Sequence, residues 1–328
     1  MDKNISSNTI ISNYEVKELF LAIGLGNPTS IKFETASLEI GIHSVNVGKK
    51  KYLLKSSLRN IKPEEKATQD AIINELSLYK VLENSDVTAY QKIVYSDITK
   101  KHIDVNFLIL EIQGVPYKKK VFSIRERKLV MYQAGEQLAK IHNIKGLGYG
   151  SEKIGIEHSW FAAYKKLVDD IISDLTVKNV NVDTNRIYSV INKLSFLLED
   201  VEPSLIHATI WKGNIYVAEK GTKFLAFAGW ENAMWGDLAT DFVRLNPVRG
   251  TMNNKSFIRG YLSVNPLVID KNFHIRKNLM KLYLGLRALI YPILKWRKDT
   301  QKYIYKKIEG RIMISESLRY LEGVQINE

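Results

Sequence analysis

The spacing of apolar residues changes at Gly114, and few folds accommodate that change. Before it, the stretch from Ile31 to Ser56 alternates and is rich in β-branched residues, with the runs EIGIHSVNV and KKYLLKSS meeting at Gly48. Alternation at a period of two, interrupted by a glycine, predicts a β-hairpin. Apolar runs around Tyr90–Tyr95 and Asn106–Ile112 predict two further strands, the second broken by Gly-Val-Pro at 114–116. Helical spacing occurs twice in this part. One stretch covers Tyr14–Ile23. A longer one covers Pro63–Glu83, where Ala71, Ile72, Leu76, Tyr79 and Leu82 recur at helical spacing and acidic residues in the first turn favour the helix dipole.

Beyond Gly114 the period is mostly that of helices, over Ile124–His142, Ser159–Leu175 and Asn185–Leu198, and again to the end after Phe227. Only NIYVA and KFLAF, on either side of a Glu-Lys-Gly turn, read as strands there. The expected fold class is α+β. A small β-rich N-terminal lobe with one long helix covers 1–112, and a larger, mainly helical C-terminal lobe covers 113–328. A chain of 328 residues can bury a full core between such parts.

Composition removes several function classes. The chain has no cysteine, which excludes disulfide scaffolds, thiolate zinc sites and cysteine nucleophiles. Its start, MDKNISSNTI, has no apolar stretch of the signal-peptide type, and the cytoplasm is the expected location. The most apolar late segment, Leu279–Trp296, is interrupted by Lys281, Arg287, Pro292 and Lys295, so it reads as a buried helix and no membrane partner is expected. The net charge of +13 favours anionic ligands. Lysines cluster at Lys49–Lys51, at Lys118–Lys120 and in KYIYKK near the C-terminus, a pattern that solvated faces and turns also produce. Nucleic acid is compatible with the charge, but no binding motif supports it.

The chemistry-bearing pieces come in a fixed order. Lys55 ends YLLK in the second hairpin run, Glu75 lies in NEL on the long helix, and LEIQG spans Leu110–Gly114. QLAKIHNI spans Gln137–Ile144, HATIWKGNIYV spans His207–Val217, and FAGWENAMWGDLATDF spans Phe227–Phe242. In order and spacing these resemble the aminoglycoside phosphotransferase and choline or fructosamine kinase superfamily, whose fold is bilobal and protein-kinase-like; the resemblance covers most of the chain, from Ser30 to Leu245.

That resemblance implies ATP and Mg2+ as cofactors and a role for each piece, because phosphoryl transfer rests on positioning and charge neutralisation. Lys55 would contact the nucleotide phosphates and Glu75 would hold it by an ion pair. The backbone around Glu111, Ile112 and Gly114 would receive the adenine. His207 would brace the catalytic loop, Asn214 would coordinate magnesium, and Asp237 and Asp241 would hold loop backbone or cap a helix. Taken singly, a strand lysine and a helix glutamate are surface charges, and Asn214 is a turn residue before a strand.

Two departures stand out. The family's HGD reads His207, Ala208, Thr209 here, so a neutral hydroxyl replaces the carboxylate that accepts the acceptor's proton. The family's IDWE reads Ala228, Gly229, Trp230, Glu231, so the magnesium-gripping aspartate becomes a residue with no side chain. A positioned base is worth roughly 10²- to 10⁴-fold, and losing the metal carboxylate as well removes the chief anchor for the ion. Glu231 would share a face with position 229 if the segment were extended, and could then stand in as a metal ligand.

The expected function is a nucleotide-binding pseudokinase, inactive or weakly active. The alternative is a working ATP-dependent phosphotransferase to a hydroxyl of a small molecule or peptide. A third reading is a cationic scaffold for RNA or an acidic peptide. An anionic or neutral acceptor suits the charge better than a polycationic aminoglycoside does, and the helices after Leu245 would select it.

Overall fold

The computed structural model describes residues 9–36, 40–59, 71–245, 254–267, 269–295, 298 and 300–325. A first helix, α1 (Asn13–Ala22), starts at a capping box in which Ser12 and Glu15 satisfy each other's backbone N–H groups. It leads into β1 (Ser30–Ala36), β2 (Ile40–Val47) and β3 (Lys50–Ser57). The hairpin of β2 and β3 pairs from Val47↔Lys50 to Ile40↔Ser57, centred on the glycine turn that the alternation implied. After α2 (Ala71–Glu83), strands β4 (Lys92–Asp97) and β5 (Phe107–Glu111) complete an antiparallel sheet of order β1-β2-β3-β5-β4. Residues 63–70 of the long helix expected from the sequence lie outside the described residues, together with its acidic first turn.

Both faces of this sheet are covered, which explains why FLILE in β5 is continuously apolar. Phe107 and Ile109, with Val45, Tyr52 and Leu54, pack on Val16, Leu19 and Phe20 of α1. Leu108 and Leu110 point the other way and join Ile72, Leu78, Tyr79 and Leu82 of α2. On β3 the same alternation puts Lys55 opposite the side taken by Tyr52 and Leu54, facing α2.

The chain leaves the sheet at Gly114, whose φ of +75° is a left-handed conformation. A Cβ there would come 2.2 Å from the Val217 carbonyl oxygen, so only glycine fits. The next residues form β6 (Val115–Pro116), which pairs with β10 (Ile215–Val217); β11 (Phe224–Phe227) completes a three-stranded sheet β11-β10-β6. The Gly-Val-Pro break is thus also a short strand that ties the exit from the first sheet to the later NIYV run.

The remainder is mainly helical. α3 (Ile124–His142) starts at a capping box of Ser123 and Glu126. It is followed by β7 (Tyr149–Ser151), β8 (Gly155–Glu157), α4 (Trp160–Val177), α5 (Thr184–Lys193), α6 (Phe196–Glu199) and β9 (Ser204–Ile206). Beyond β11 come β12 (Met234–Gly236), α7 (Ala239–Leu245), α8 (Asn254–Leu262), α9 (Lys271–Lys295) and α10 (Gln301–Glu322). The single helix expected over Asn185–Leu198 is two. It breaks at Leu194–Ser195, where the Ser195 hydroxyl donates to the Asn192 carbonyl at 3.0 Å, a local bond that competes with the helical ladder. The sheet β8-β7-β12-β9 is an addition to the sequence reading. Its strands have three residues each, too few to display alternation.

Candidate functional site

Three charged side chains from three elements meet beneath the first sheet. Lys55 on β3 reaches Glu75 on α2, and its Nζ lies 2.9 Å from a carboxylate oxygen of Glu231. Lys55 and Glu75 are fully buried and Glu231 keeps 19% of its side chain exposed. Glu231 stands on the 3-10 turn Trp230–Asn232, which Asn74 secures from α2 by donating to the Glu231 and Ala233 carbonyls at 3.3 and 3.1 Å.

One ammonium between two carboxylates leaves an excess negative charge in a buried place. Burial alone would lower the Lys55 pKa, but Glu231 and Glu75 outweigh it and hold it above the ordinary value. Burial pushes the Glu75 carboxyl up, to about 7, against the pull of Lys55, and the neighbouring charge of Glu231 adds to the rise. For Glu231, burial acts in the same upward direction but Lys55 prevails and keeps it below the usual carboxylate range. The deeper acid therefore takes up the proton that relieves the cluster.

A second group forms on the segment between β9 and β10. Asp241 of α7 accepts the backbone N–H groups of His207 and Ala208 at 2.8 and 2.7 Å, and His142 at the end of α3 lies 3.0 Å from the same carboxylate. Held this way, Ala208 takes a left-handed φ of +59°, a conformation that costs a non-glycine residue roughly 1–2 kcal/mol. The buried His207 ring places Nε2 3.1 Å from the Ala228 carbonyl, which can only accept, so Nε2 carries the proton. Burial lowers the pKa of this histidine, against the pull of Asp241 and Glu231, and the ring is neutral at physiological pH.

Thr209 follows. Its hydroxyl lies 2.8 Å from the Gly229 carbonyl and 3.1 Å from His207 Nδ1, two acceptors. Asn214 donates its amide to the Thr209 carbonyl at 3.0 Å, and its own backbone carbonyl accepts from Ala228 N–H at 2.8 Å. Gly229 itself has φ +84°, and a Cβ there would lie 2.6 Å from Asn214 Nδ2 and 3.3 Å from its Oδ1. The stretch from Gly229 to Asn232 is thus a left-handed residue and a 3-10 turn, not the extended segment on which the metal-ligand role of Glu231 depended. The turn aims Glu231 at Lys55.

The two groups are joined through Gly229–Glu231. The third set of residues lies at the end of β5 and makes its hydrogen bonds elsewhere. The Glu111 side chain is drawn to Lys50 at 3.2 Å, while Ile112 N–H donates to the Lys51 carbonyl at 2.8 Å. Gln113 N–H donates to Gln91 Oε1 at 2.9 Å, and Gln91 Nε2 returns a bond to the Gln113 carbonyl at 3.3 Å. Two backbone donors of this segment therefore already have partners within the chain. Sequence reasoning missed Gln91 and Asn74. Gln91 carries no signal at all, whereas Asn74 sits beside Glu75 in the NEL that marked the helix.

The donor set does not fit a magnesium ion. The Asn214 side chain stands against Gly229 and donates to the Thr209 carbonyl, the Thr209 hydroxyl is spent on the Gly229 carbonyl, and the nearest acid of the turn, Glu231, is engaged by Lys55. Magnesium favours an octahedral shell with one or two carboxylates. Among the described residues no group of three His, Asp or Glu side chains is placed to hold a metal.

The family model described as fructosamine kinase matches residues 45–308. The chain belongs to the fructosamine kinase family. That membership agrees with the resemblance carried by the His207–Val217 and Phe227–Phe242 motifs. Solved structures agree on the fold. Aminoglycoside phosphotransferase APH(4)-Ia, as a thermostable mutant in its apo form, is 18% identical with a TM-score of 0.67 over 94% of this chain and 100% of that one. Its ternary complex with AMP-PNP and hygromycin B aligns at 17% identity and TM-score 0.66, over 94% and 99% of the two chains. ADP-bound APH(2'')-Ib aligns at 17% and 0.59, over 94% and 97%. No curated protein gives a significant match. This fructosamine kinase family member thus has the kinase-like architecture of those enzymes, with a sheet-rich N-terminal region and a helical C-terminal one.

Proposed function

We propose that this family member is a pseudokinase: a protein that keeps the frame of a kinase nucleotide cleft and has lost most of its capacity to transfer phosphate. The two lobes would divide near residue 112. Lys55 and Glu75 would face the phosphates of ATP, and the backbone of Glu111, Ile112 and Gly114 would face the base; structural neighbours hold AMP-PNP and ADP. The observation that carries the reading is the pairing of Thr209 with Gly229. Where the chemistry asks for a base and a metal carboxylate, a hydroxyl donates to a glycine carbonyl. The charge that neutralises Lys55 comes instead from Glu231.

One contact favours a second reading, a working phosphotransferase to a small-molecule or peptide hydroxyl. His207 Nδ1 lies 3.1 Å behind the Thr209 hydroxyl. A neutral imidazole there could take the threonine proton while the threonine oxygen takes one from the acceptor. Phosphate transfer from ATP to a panel of neutral and anionic acceptors, measured for the native chain and for Thr209→Asp/Gly229→Asp, separates the two. The pseudokinase reading expects background turnover from the native chain. In the double variant the new side chain at 229 pushes the Asn214 amide aside, and turnover rises by roughly 10²-fold or more. Native turnover that falls to background in His207→Gln establishes the second reading instead.

A further inference from the structure

The lysine-rich run KYIYKK opens α10, and the proposed cleft makes no use of it. This helix carries two apolar faces. The inner one, with Gly310, Leu318 and Leu321 buried, packs against α9, where Gly310 is close enough for a Cβ to come 2.9 Å from the Gly285 carbonyl. The outer one is formed by Ile304, Tyr305, Ile308 and Ile312, which are 50%, 55%, 53% and 37% exposed. At 3.6 residues per turn these four fall in one arc of roughly 100°, on the far side of the helix from the packed face. Core packing therefore cannot account for them. The outer patch stops after Ile312, since Ser315 and Arg319 occupy the same arc further on. It lies at the end of the α9–α10 hairpin where exposed Lys298 stands.

Cations flank the patch on both sides. By the same helical geometry Arg311 and, further round, Lys307 stand along one edge; along the other come Glu316 and Glu309, paired with Lys281 and Lys306, and then Lys302. Lys307 lies over the Tyr303 ring at 5.5 Å, and Lys306 and Lys281 offset Glu309 and Glu316, so Arg311, Lys307 and Lys302 leave the border of the patch net cationic.

We propose that this end of α10 is a membrane-surface contact that seats its isoleucine and tyrosine side chains in an anionic lipid leaflet. Three features select that occupant. A lysine-bordered apolar stripe with an interfacial tyrosine is the pattern of a helix lying in the headgroup region. The stripe is a convex ridge, which a soft surface accepts without a matching groove. The cationic borders and the net charge of +13 repel a second copy of the chain and attract anionic lipid. No helix among the described residues is long and apolar enough to cross a membrane, so the contact is peripheral. The residues alone predict no membrane partner, because a second apolar face on a packed helix leaves no continuous apolar run of the kind that marks a span.

The test is flotation of the full chain with phosphatidylcholine vesicles, with and without phosphatidylserine. Binding to the phosphatidylserine vesicles alone, weakened by salt, is expected. Ile304→Ser/Ile308→Ser should lose at least ~10-fold in binding with an unchanged thermal midpoint, since both residues are exposed. Lys302→Gln/Arg311→Gln should bind more weakly and with less salt dependence. The proposal is overturned if the native chain ignores phosphatidylserine vesicles or if the isoleucine variant binds as well as the native chain. It is equally overturned if the patch proves to join two copies in sedimentation, or binds polyglutamate and no vesicle.

Discussion

The Lys55 ammonium lies 2.9 Å from the Glu231 carboxylate while it also meets Glu75, so a single buried cation is shared by acids from two separate parts of the chain. Glu231 follows the glycine that stands where a metal-binding aspartate is expected, and the two acids satisfy the lysine within the chain.

A first consequence of the shared cation concerns pH. The Glu75 carboxyl is raised from the ordinary 4.5 to about 7, so the folded chain binds that proton more tightly than the unfolded chain does. The stabilisation from this group is complete at low pH and is lost as pH rises from 4.5 through about 7. Glu75→Gln has no such proton to lose. Between these limits the stability of native protein, measured by urea unfolding, should decline more steeply with rising pH than that of the variant; equal slopes count against the assignment.

Removing the cation should be costly. Lys55→Met leaves two acids without their shared cation, a change worth about 3–5 kcal/mol at neutral pH. Adding Glu231→Gln to it should return part of the loss. Denaturant midpoints of the single and double variants check this, and a mild effect of the single variant would mean that the carboxylates are solvated.

Asp241 should matter to the fold more than to any chemistry. It accepts two buried backbone N–H groups and faces His142. Asp241→Ala should therefore lower stability by about 3 kcal/mol, given what hydrogen bonds to a charged acceptor contribute. Calorimetric unfolding measures the loss, and a change below about 1 kcal/mol contradicts the bracing role.

Much of this arrangement was legible in the residues. The Gly48 hairpin, Ile124–His142 and the strands at NIYVA and KFLAF follow from periodicity, because each is long enough or flanked clearly enough to show its period. Glu75 and Lys55 were paired by resemblance, and their meeting depends on the alternation of β3 and the face of α2. The engagement of Glu231 was hidden because it depends on backbone dihedrals. Gly229 at φ +84° turns the segment into a 3-10 turn, and nothing in Ala-Gly-Trp-Glu announces that. The Gln91 clamp was equally out of reach because its partner, Gln113, lies just past the end of another strand, and the three-residue strands because they are too short to show alternation.

One polar group in the α2 core should be dispensable. The Tyr79 hydroxyl is buried and has no hydrogen-bond partner among the described residues, and burial together with Glu75 and Glu231 disfavours its ionisation. Tyr79→Phe removes the unpaired group and keeps the ring against Tyr90. Its stability should rise by about 1 kcal/mol. A loss of similar size in thermal unfolding would reveal a partner that the hydroxyl needs.

The proposed loss of metal-assisted transfer meets its most direct test in calorimetric titration of the native chain with ATP, with and without magnesium. A cleft with Thr209 and Gly229 in place of two carboxylates should bind ATP with the same affinity in both conditions, and Thr209→Asp/Gly229→Asp should make binding magnesium-dependent. Native affinity that rises at least tenfold on adding magnesium would contradict the account.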